Sequence, residues 1–460
     1  MTSSPSSIAR LGQSLTGEVI APGDDAYELA RRVWNARYSD RRPAIIVRPA
    51  SGADVAASIR FARYSELEIA VRSGAHSNSG HSTTDGGLVI DMSAMRGVTV
   101  DPSARVARVN GGALLGELDV AAQAHGLVCP VGVIGHTGVA GLTLGGGIGR
   151  LQRNFGLTID NLIAVELVTA DGRKVRASAT EEPELFWGMR GAGHNFGVAT
   201  AFEFGLHPFD GILHRGVQIY PASQAHEVWS MVRDAAPRLA DAVSMGMVIG
   251  RGVPAADYPA AVAGRPIVIV GYSHSGASDA VERDTAPLRA GPKPVFASEK
   301  GAEYLEVQTA NDLAMGWGHR SIIESAYADD LRPATIDALV ELAARAPDGA
   351  TFSATVHGGA IARVADDAMA YTGRNAGFDL SADSDWDDAG QDELNVGWVR
   401  EVMATVAPDL TLGRYLNGLC EYGPEQTRQI YGDAKLPRLA ALKRAWDPDN
   451  VFRRNHNIAT

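Results

Sequence analysis

Two glycine-rich stretches constrain this 460-residue chain more than any other feature. "VRSGAHSNSGHSTTDGG" runs from Val71 to Gly87, between the apolar runs "LEIAV" and "LVIDM". "CPVGVIGHTGVAGLTLGGGIGRLQRNFGLTIDN" runs from Cys129 to Asn161 and holds nine glycines. Glycine at that density makes a poor helix or strand and frees the backbone for close approach to something else. A run of exposed backbone N–H groups is an anion cradle, and residues 71–87 and 132–149 both qualify. A nucleotide or dinucleotide is the natural guest; a pair of long surface loops is the alternative. The usual dinucleotide devices are missing. "GAGHNFG" (191–197) has one residue too many for GxGxxG, and it follows a helix and precedes a strand, the reverse of the Rossmann order. There is no GxxxxGK[ST]. His76 and His81 lie in the first loop with only Asp85 nearby, which falls short of the three or four ligands a zinc site needs, so no metal is expected.

The rest of the chain reads as α+β. Strands are expected at 44–49, 69–74 and 87–93, with a helix between the first two. Ser51 and Asp54 have capping-box spacing for that helix. Hairpins are expected to turn at Asp101-Pro102 and Asp171-Gly172, and "ALLGELDVAAQAHG" reads as a helix ended by Gly126. Beyond Pro208 the texture changes. "VSMGMVIG", "PIVIVGYS", "TFSATVHGG", "AIARV" and "AGFDLSAD" read as strands, and "ASQAHEVWSMVRDAA" and "ATIDALVELAARA" as helices. This is the pattern of an antiparallel sheet covered on one face by helices.

Net charge is −12, so nucleic acid is a poor partner. No stretch approaches the roughly 18 apolar residues a membrane helix needs, and "MTSSPSSIARLGQSL" lacks the apolar core of a secretory signal. A cytoplasmic location is the expectation. The two cysteines, Cys129 and Cys420, form no CxxC.

"VRSGAHSNSGHST", "GLVCPVGVIGHTGVAGLTLGGGIGRLQRNFGLTIDNL", "ELFWGMRGAGHNFGVAT", "YLNGL" and "RLAALKRAWDPDNVFRRNHNI" together resemble the FAD-linked oxidases of the berberine-bridge-enzyme type. These belong to the vanillyl-alcohol-oxidase / p-cresol-methylhydroxylase superfamily, and the stretches near 71–200 resemble the bacterial hydroxynicotine oxidases. The likeness runs from about Arg42 to Ile458. It implies a two-subdomain FAD-binding domain of the p-cresol-methylhydroxylase type (1–208), a substrate domain (209–410), and a C-terminal segment (411–460) that returns to the FAD domain. It also implies that Arg72, Ser73, Gly74, Ala75 and Ser77 wrap the FAD pyrophosphate and that His76 bonds to the flavin 8α-methyl carbon. By the same resemblance Cys129 bonds to flavin C6, as in the bicovalent subgroup. Thr137, Gly138, Gly141, Gly145, Val198, Asn417, Asn455 and Asn457 match further FAD contacts. Family members commonly carry glycine where this chain has Ala75, whose Cβ disfavours a positive φ.

The resemblance implies an oxidase that takes a hydride from a CH–OH or CH–NH carbon of a bulky small-molecule substrate, such as a sugar, glycoside, polycyclic product or alkaloid, and reduces O2 to H2O2. A dehydrogenase or oxidative cyclase with another acceptor is the alternative within the fold, and a flavin- or sugar-binding protein without activity is the alternative outside it. A monomer or homodimer is expected. Tyr415 matches the family tyrosine near the flavin and needs a lowered pKa to act as base. Asp379, Ser381 and Asp383 alternate on one strand face; that strand is either the carrier of an acidic base or an edge strand with a solvated face. His357 is the third candidate base. Tyr371 and Trp317 are candidate pocket aromatics, and Gly418 is expected to widen the site.

Overall fold

The computed structural model describes residues 5–252, 259 and 262–459. Three sheets organise it. The first holds β1 (Glu18–Ile20), β2 (Ile45–Arg48), β3 (Ile69–Arg72) and β4 (Leu88–Asp91) in the order β1-β2-β4-β3. The pairs β2–β4 and β3–β4 are parallel, and β1 runs antiparallel to β2. The parallel strands are short and almost wholly apolar because both faces are covered. The helix Gly52–Tyr64 packs on one face through Val55 and Ile59. Ser51 Oγ accepts from the Asp54 N–H at 3.3 Å. The Asp54 carboxylate does not complete the box; it accepts instead from the N–H groups of Thr16, Gly17 and Ala50, pinning the entry of the chain.

The second sheet comprises β5 (Val98–Asp101), β6 (Val106–Asn110), β8 (Leu162–Val168), β9 (Lys174–Ser178) and β10 (Val198–Gly205), ordered β5-β6-β10-β8-β9 and antiparallel throughout. Both expected hairpins are there, and Gly172 takes φ +83° at its turn. Gly126, at φ +66°, ends the turn after helix Leu115–Gln123. A two-residue pair, β7 (Leu127–Val128) with β11 (His207–Pro208), closes this half.

The third sheet has seven strands, all antiparallel: β12 (Ile212–Pro221), β13 (Val243–Arg251), β14 (Pro266–His274), β15 (Phe296–Glu303), β16 (Arg320–Ala328), β17 (Thr351–Val356) and β18 (Phe378–Trp386). Their order is β15-β12-β14-β13-β17-β18-β16. Helices Ala225–Ala235, Pro333–Ala344 and Asp392–Val406 cover one face, against Phe352, Ala354, Leu380 and Ala382. Period-two alternation therefore turns Thr351, Ser353, Ser381, Asp383 and Asp385 to the other face.

Three expectations need correction. "AIARV" is not a strand: Ala360–Arg363 is one helical turn, entered through Gly358 and Gly359, both at positive φ. The Cys129–Asn161 stretch is not wholly irregular. Val139–Gly145 is a short helix, which alanine, leucine and threonine between the glycines suffice to close. And β18 is not an edge strand; β17 and β16 flank it. Among the described residues, no helix is long and apolar enough to cross a membrane.

Candidate active site

The two glycine loops meet back to back. A Cβ on Gly74 would strike the Gly138 amide nitrogen and lie 2.9 Å from the His136 carbonyl oxygen. A Cβ on Gly138 would strike Gly74 N and Ser73 Oγ in return. Only glycine at both positions lets these backbones touch. Gly141 is different: nothing stands within 4 Å of its missing Cβ, so its backbone faces open space. Between the loops and the bare face of the seven-stranded sheet lies a cavity of about 590 Å³.

Most of the residues singled out in the sequence line this cavity: Ser73, Gly74, Ala75, His76, Ser77, Thr137, Gly138, Gly141, Tyr415, Asn417 and Asn455. The C-terminal segment is stitched to the first loop. Asn78 Nδ2 donates to the Asn417 carbonyl at 2.8 Å and Ser79 Oγ to the Leu419 carbonyl at 2.7 Å. Asn455 donates to the His194 carbonyl at 2.7 Å and keeps Oδ1 buried without a partner. The close loop approach and the unpartnered Asn455 oxygen fit a large polar cofactor laid along the cleft. Ala75 does take a positive φ, +58°, which costs an alanine about 1–2 kcal/mol; its carbonyl accepts from Trp34 N–H at 3.2 Å.

His76 stands in a defined cluster. Its ring stacks on Trp34 with centroids 4.8 Å apart and meets the edge of Trp317 at 6.3 Å. Its Nε2 is 2.6 Å from Nδ1 of His136, whose Nε2 is 3.1 Å from the Asp312 carbonyl oxygen. Burial, and then the neighbouring His136, push the His76 pKa down to about 3, so the ring is neutral at physiological pH.

Several expected residues sit elsewhere. Cys129 is fully buried in the core with Leu115, Leu118 and Val131, and it does not line the cavity. Its thiol lies on the side of Asp119 and Tyr304, and burial pushes its pKa far up, the opposite of a reactive thiolate. Arg72 spends its guanidinium on the Asp91 carboxylate (2.8 Å) and on the carbonyls of Ala30 and Arg32, holding β3 to the N-terminal segment. The Val198 side chain packs into the core with Val168 and Phe452, while its neighbours Gly197 and Ala199 reach the cavity. Gly145 abuts the Asn417 amide, and Asn457 is likewise outside the lining.

The candidate bases also move. His357 is buried, its pKa pushed down to about 4 by burial, and it does not line the cavity. Asp379 pairs across the sheet with Tyr327, outside the lining, and its pKa is raised to about 8 by burial. Further along the same strand face Ser381, Asp383 and Asp385 do reach the cavity, beside Ser353 of β17 and Ser321 of β16. Burial raises the Asp383 pKa to about 7 and that of Asp385 in the same direction. The Tyr415 oxygen accepts from the Asn417 amide at 3.1 Å and from the N–H groups of Gly147 and Ile148 at 3.3 Å. Those donors favour phenolate, but burial outweighs them and the pKa is raised. Tyr371 donates to or accepts from Tyr327 at 2.7 Å, away from the cavity, and Trp317 is partly exposed beside His76.

Sequence reasoning missed Trp34, His136, Asp312 and Asp385. His136 was open to discovery, since it sits inside "GHTG" next to the matched Thr137. Trp34 and Asp312 carry no local signal; only the fold brings them to His76.

This is the cleft of a flavoprotein oxidoreductase. Residues 43–178 match the model of an FAD binding domain, and residues 407–459 match the berberine and berberine-like model. The chain is 31% identical to (R)-6-hydroxynicotine oxidase of Paenarthrobacter nicotinovorans, across 97% of each chain. It is 28% identical to an uncharacterised FAD-linked oxidoreductase of Bacillus subtilis (strain 168), across 96% of this chain and 97% of that one. The crystal structure of 6-hydroxy-D-nicotine oxidase from Arthrobacter nicotinovorans superposes with a TM-score of 0.85 at 31% identity, covering 96% and 98% of the two chains. Physcomitrella patens BBE-like 1 has a TM-score of 0.87 at 24% identity over 97% of each chain, a likeness of fold. The protein belongs to the berberine-bridge-enzyme-like family of FAD-linked oxidoreductases.

Proposed function

We propose that the chain is an oxidase for a bulky amine, taking a hydride from a CH–NH carbon and passing the electrons to O2 to give H2O2, with FAD joined to His76 alone. The observation that carries this reading is that His76, Tyr415 and the Ser381–Asp383–Asp385 row all line one cavity. FAD supplies the hydride acceptor there. The glycine loops and Asn455 would hold the dinucleotide, and His76 would anchor the ring. A substrate ammonium is attracted to Asp383 and Asp385. A carboxylate with a pKa near 7 can also take that ammonium's proton, leaving a free lone pair next to the carbon that loses hydride. An alcohol could lose its proton to the same carboxylate but lacks the charge attraction that draws an ammonium there, and Tyr415, held protonated by burial, is a poor base at neutral pH. The relative named as a hydroxynicotine oxidase supports the amine class.

A screen of cyclic amines, oligosaccharides and polycyclic alcohols for peroxide release in air tests the proposal. Turnover of amines supports it; turnover confined to sugars or alcohols overturns the substrate class. Flavin reduced by substrate but not reoxidised by air within seconds would make the protein a dehydrogenase.

A further inference from the structure

A cluster of cations lies on the seven-stranded sheet, away from the cavity. Leu213 and Arg215 are two residues apart on β12 and share a face. Arg215 stands directly opposite Lys300 of β15 and Ser273 of β14, so these three side chains project to one side. Leu213 packs with Val128, Leu151, Phe209 and Tyr304. That packing brings Arg150, the residue before Leu151, to the same patch from the second glycine-rich stretch. None of Arg150, Arg215 and Lys300 lines the cavity.

Among the described residues, none of these three cations forms an ion pair, and neither guanidinium donates a hydrogen bond. Arg150 Nε is buried without a partner. The chain carries 54 acidic residues against 42 lysines and arginines, so a patch of cations without a carboxylate does not follow from scarcity. The acids of neighbouring elements are turned away or engaged elsewhere. Glu299 and Glu303 lie an odd number of residues from Lys300 on β15 and project from the other face, where Glu299 accepts from the Tyr272 phenol. Glu306, on helix Tyr304–Thr309, is exposed and pairs with neither arginine. Asp119 accepts from Tyr304 Oη at 2.9 Å and from Gln308 Nε2 at 3.2 Å, and burial raises its pKa to about 7. Burial, and then the charge of Arg215, lower the Arg150 pKa to about 10, so Arg150 stays charged at neutral pH. A half-buried cation beside a second one, with no anion between them, is an unfavourable arrangement that a bound anion relieves.

We propose that Arg150, Arg215 and Lys300 bind a phosphate group where the two halves of the molecule meet, outside the catalytic cavity. A guanidinium presents paired N–H donors that match two oxygens of one phosphate, and Lys300 adds a point charge from the exposed edge strand. Arg150 belongs to the FAD-binding half, and Arg215 and Lys300 to the large sheet, so the bound group bridges the halves and stabilises the folded chain by mass action. Free inorganic phosphate and the phosphate of a larger ester share this chemistry.

The test uses the full-length protein loaded with FAD, so that phosphate cannot enter the cofactor cleft. Inorganic phosphate is titrated by calorimetry in low-salt buffer, with sodium chloride at matched ionic strength as the control. One binding event per chain is expected. Arg150→Gln and Arg215→Gln should each weaken it on the order of tenfold or more. Arg215→Lys keeps the charge without the fork and should fall between. Arg444→Gln, exposed on helix Pro424–Trp446, should leave the affinity unchanged. Lys300→Glu, at an exposed position whose replacement spares the core, should weaken binding as well. The denaturant midpoint should rise with phosphate in wild type and in neither glutamine variant. Heat no greater than with chloride, or wild-type affinity in both Arg215→Gln and Lys300→Glu, would overturn the proposal. Glycerol phosphate separates the sources: tighter binding than the free ion assigns the site to a phosphorylated metabolite, and equal or weaker binding assigns it to inorganic phosphate.

Discussion

At the scale of single residues, buried ionisable groups decide most of the behaviour. If Asp383 and Asp385 receive a cationic amine, KM for that amine should fall as pH rises through about 7, where Asp383 loses its proton. Asp383→Asn should flatten that profile and raise KM at pH 8 by a factor on the order of ten, about 1.4 kcal/mol. Steady-state kinetics between pH 6 and 8 read both; an unchanged KM in the variant removes the residue from substrate binding. Tyr415→Phe should slow flavin reduction by an amine less than about tenfold, short of the 100-fold or more expected on losing a general base. Rapid-mixing spectroscopy at a single wavelength of flavin absorption measures it. Glu324 illustrates the same physics in stability. Its carboxylate, buried on β16, accepts from Cys420 and Glu421 N–H groups, and burial raises its pKa to about 7. For an acid whose pKa is higher folded than unfolded, the penalty is absent below the unfolded pKa and complete above the folded one. Glu324→Gln, which keeps an acceptor oxygen, should therefore gain stability over wild type at pH 8, up to about 3 kcal/mol, and gain none near pH 4. Paired denaturant titrations at the two pH values check the sign.

At the scale of elements, what was legible in the sequence was what local chemistry controls. Both hairpins announced themselves by their turn residues, and Gly126 by its place after an amphipathic run. The glycine loops were visible as loops, and most of their matched residues do line the cavity. "AIARV" was misread because a five-residue apolar run carries no period that separates one helical turn from a strand. β12, β15 and β16 gave no clear sequence signal: β15 is largely exposed and polar, and β16 carries the buried Glu324 amid apolar residues. The resemblance sets Cys129 at the flavin, yet a strand-to-loop transition decides which way a side chain points, and here it points into the core. Gly138→Ala is the sharpest test of the loop contact. Its Cβ would meet backbone, which cannot swing aside as a side chain can. The variant should fold with unchanged far-UV circular dichroism but lose most of its retained FAD after gel filtration, whereas full retention would show that the loops need not touch.

At the scale of the whole molecule, the chain leaves the FAD-binding half, builds a seven-stranded sheet, and comes back to finish the first cavity wall. The return is locked by a buried ion pair. Lys443 Nζ lies 2.7 Å from Asp447 Oδ2, both side chains wholly buried, and it also donates to the carbonyls of Asn195 and Phe452. Asp447 in turn accepts from Val451 and Phe452 N–H groups, which aims the last residues at the cleft. Lys443→Met would strand the Asp447 charge and should cost about 3–5 kcal/mol, read as a lower denaturant midpoint at unchanged slope. The same architecture ties the loops around His76, from the first half, to a segment of the second. The most direct measurement is the mass of the denatured protein in three forms. Wild type and Cys129→Ala should both carry one covalently bound FAD, and His76→Ala none. Loss of the added mass in Cys129→Ala, or its survival in His76→Ala, would contradict the assignment of His76 as the sole anchor.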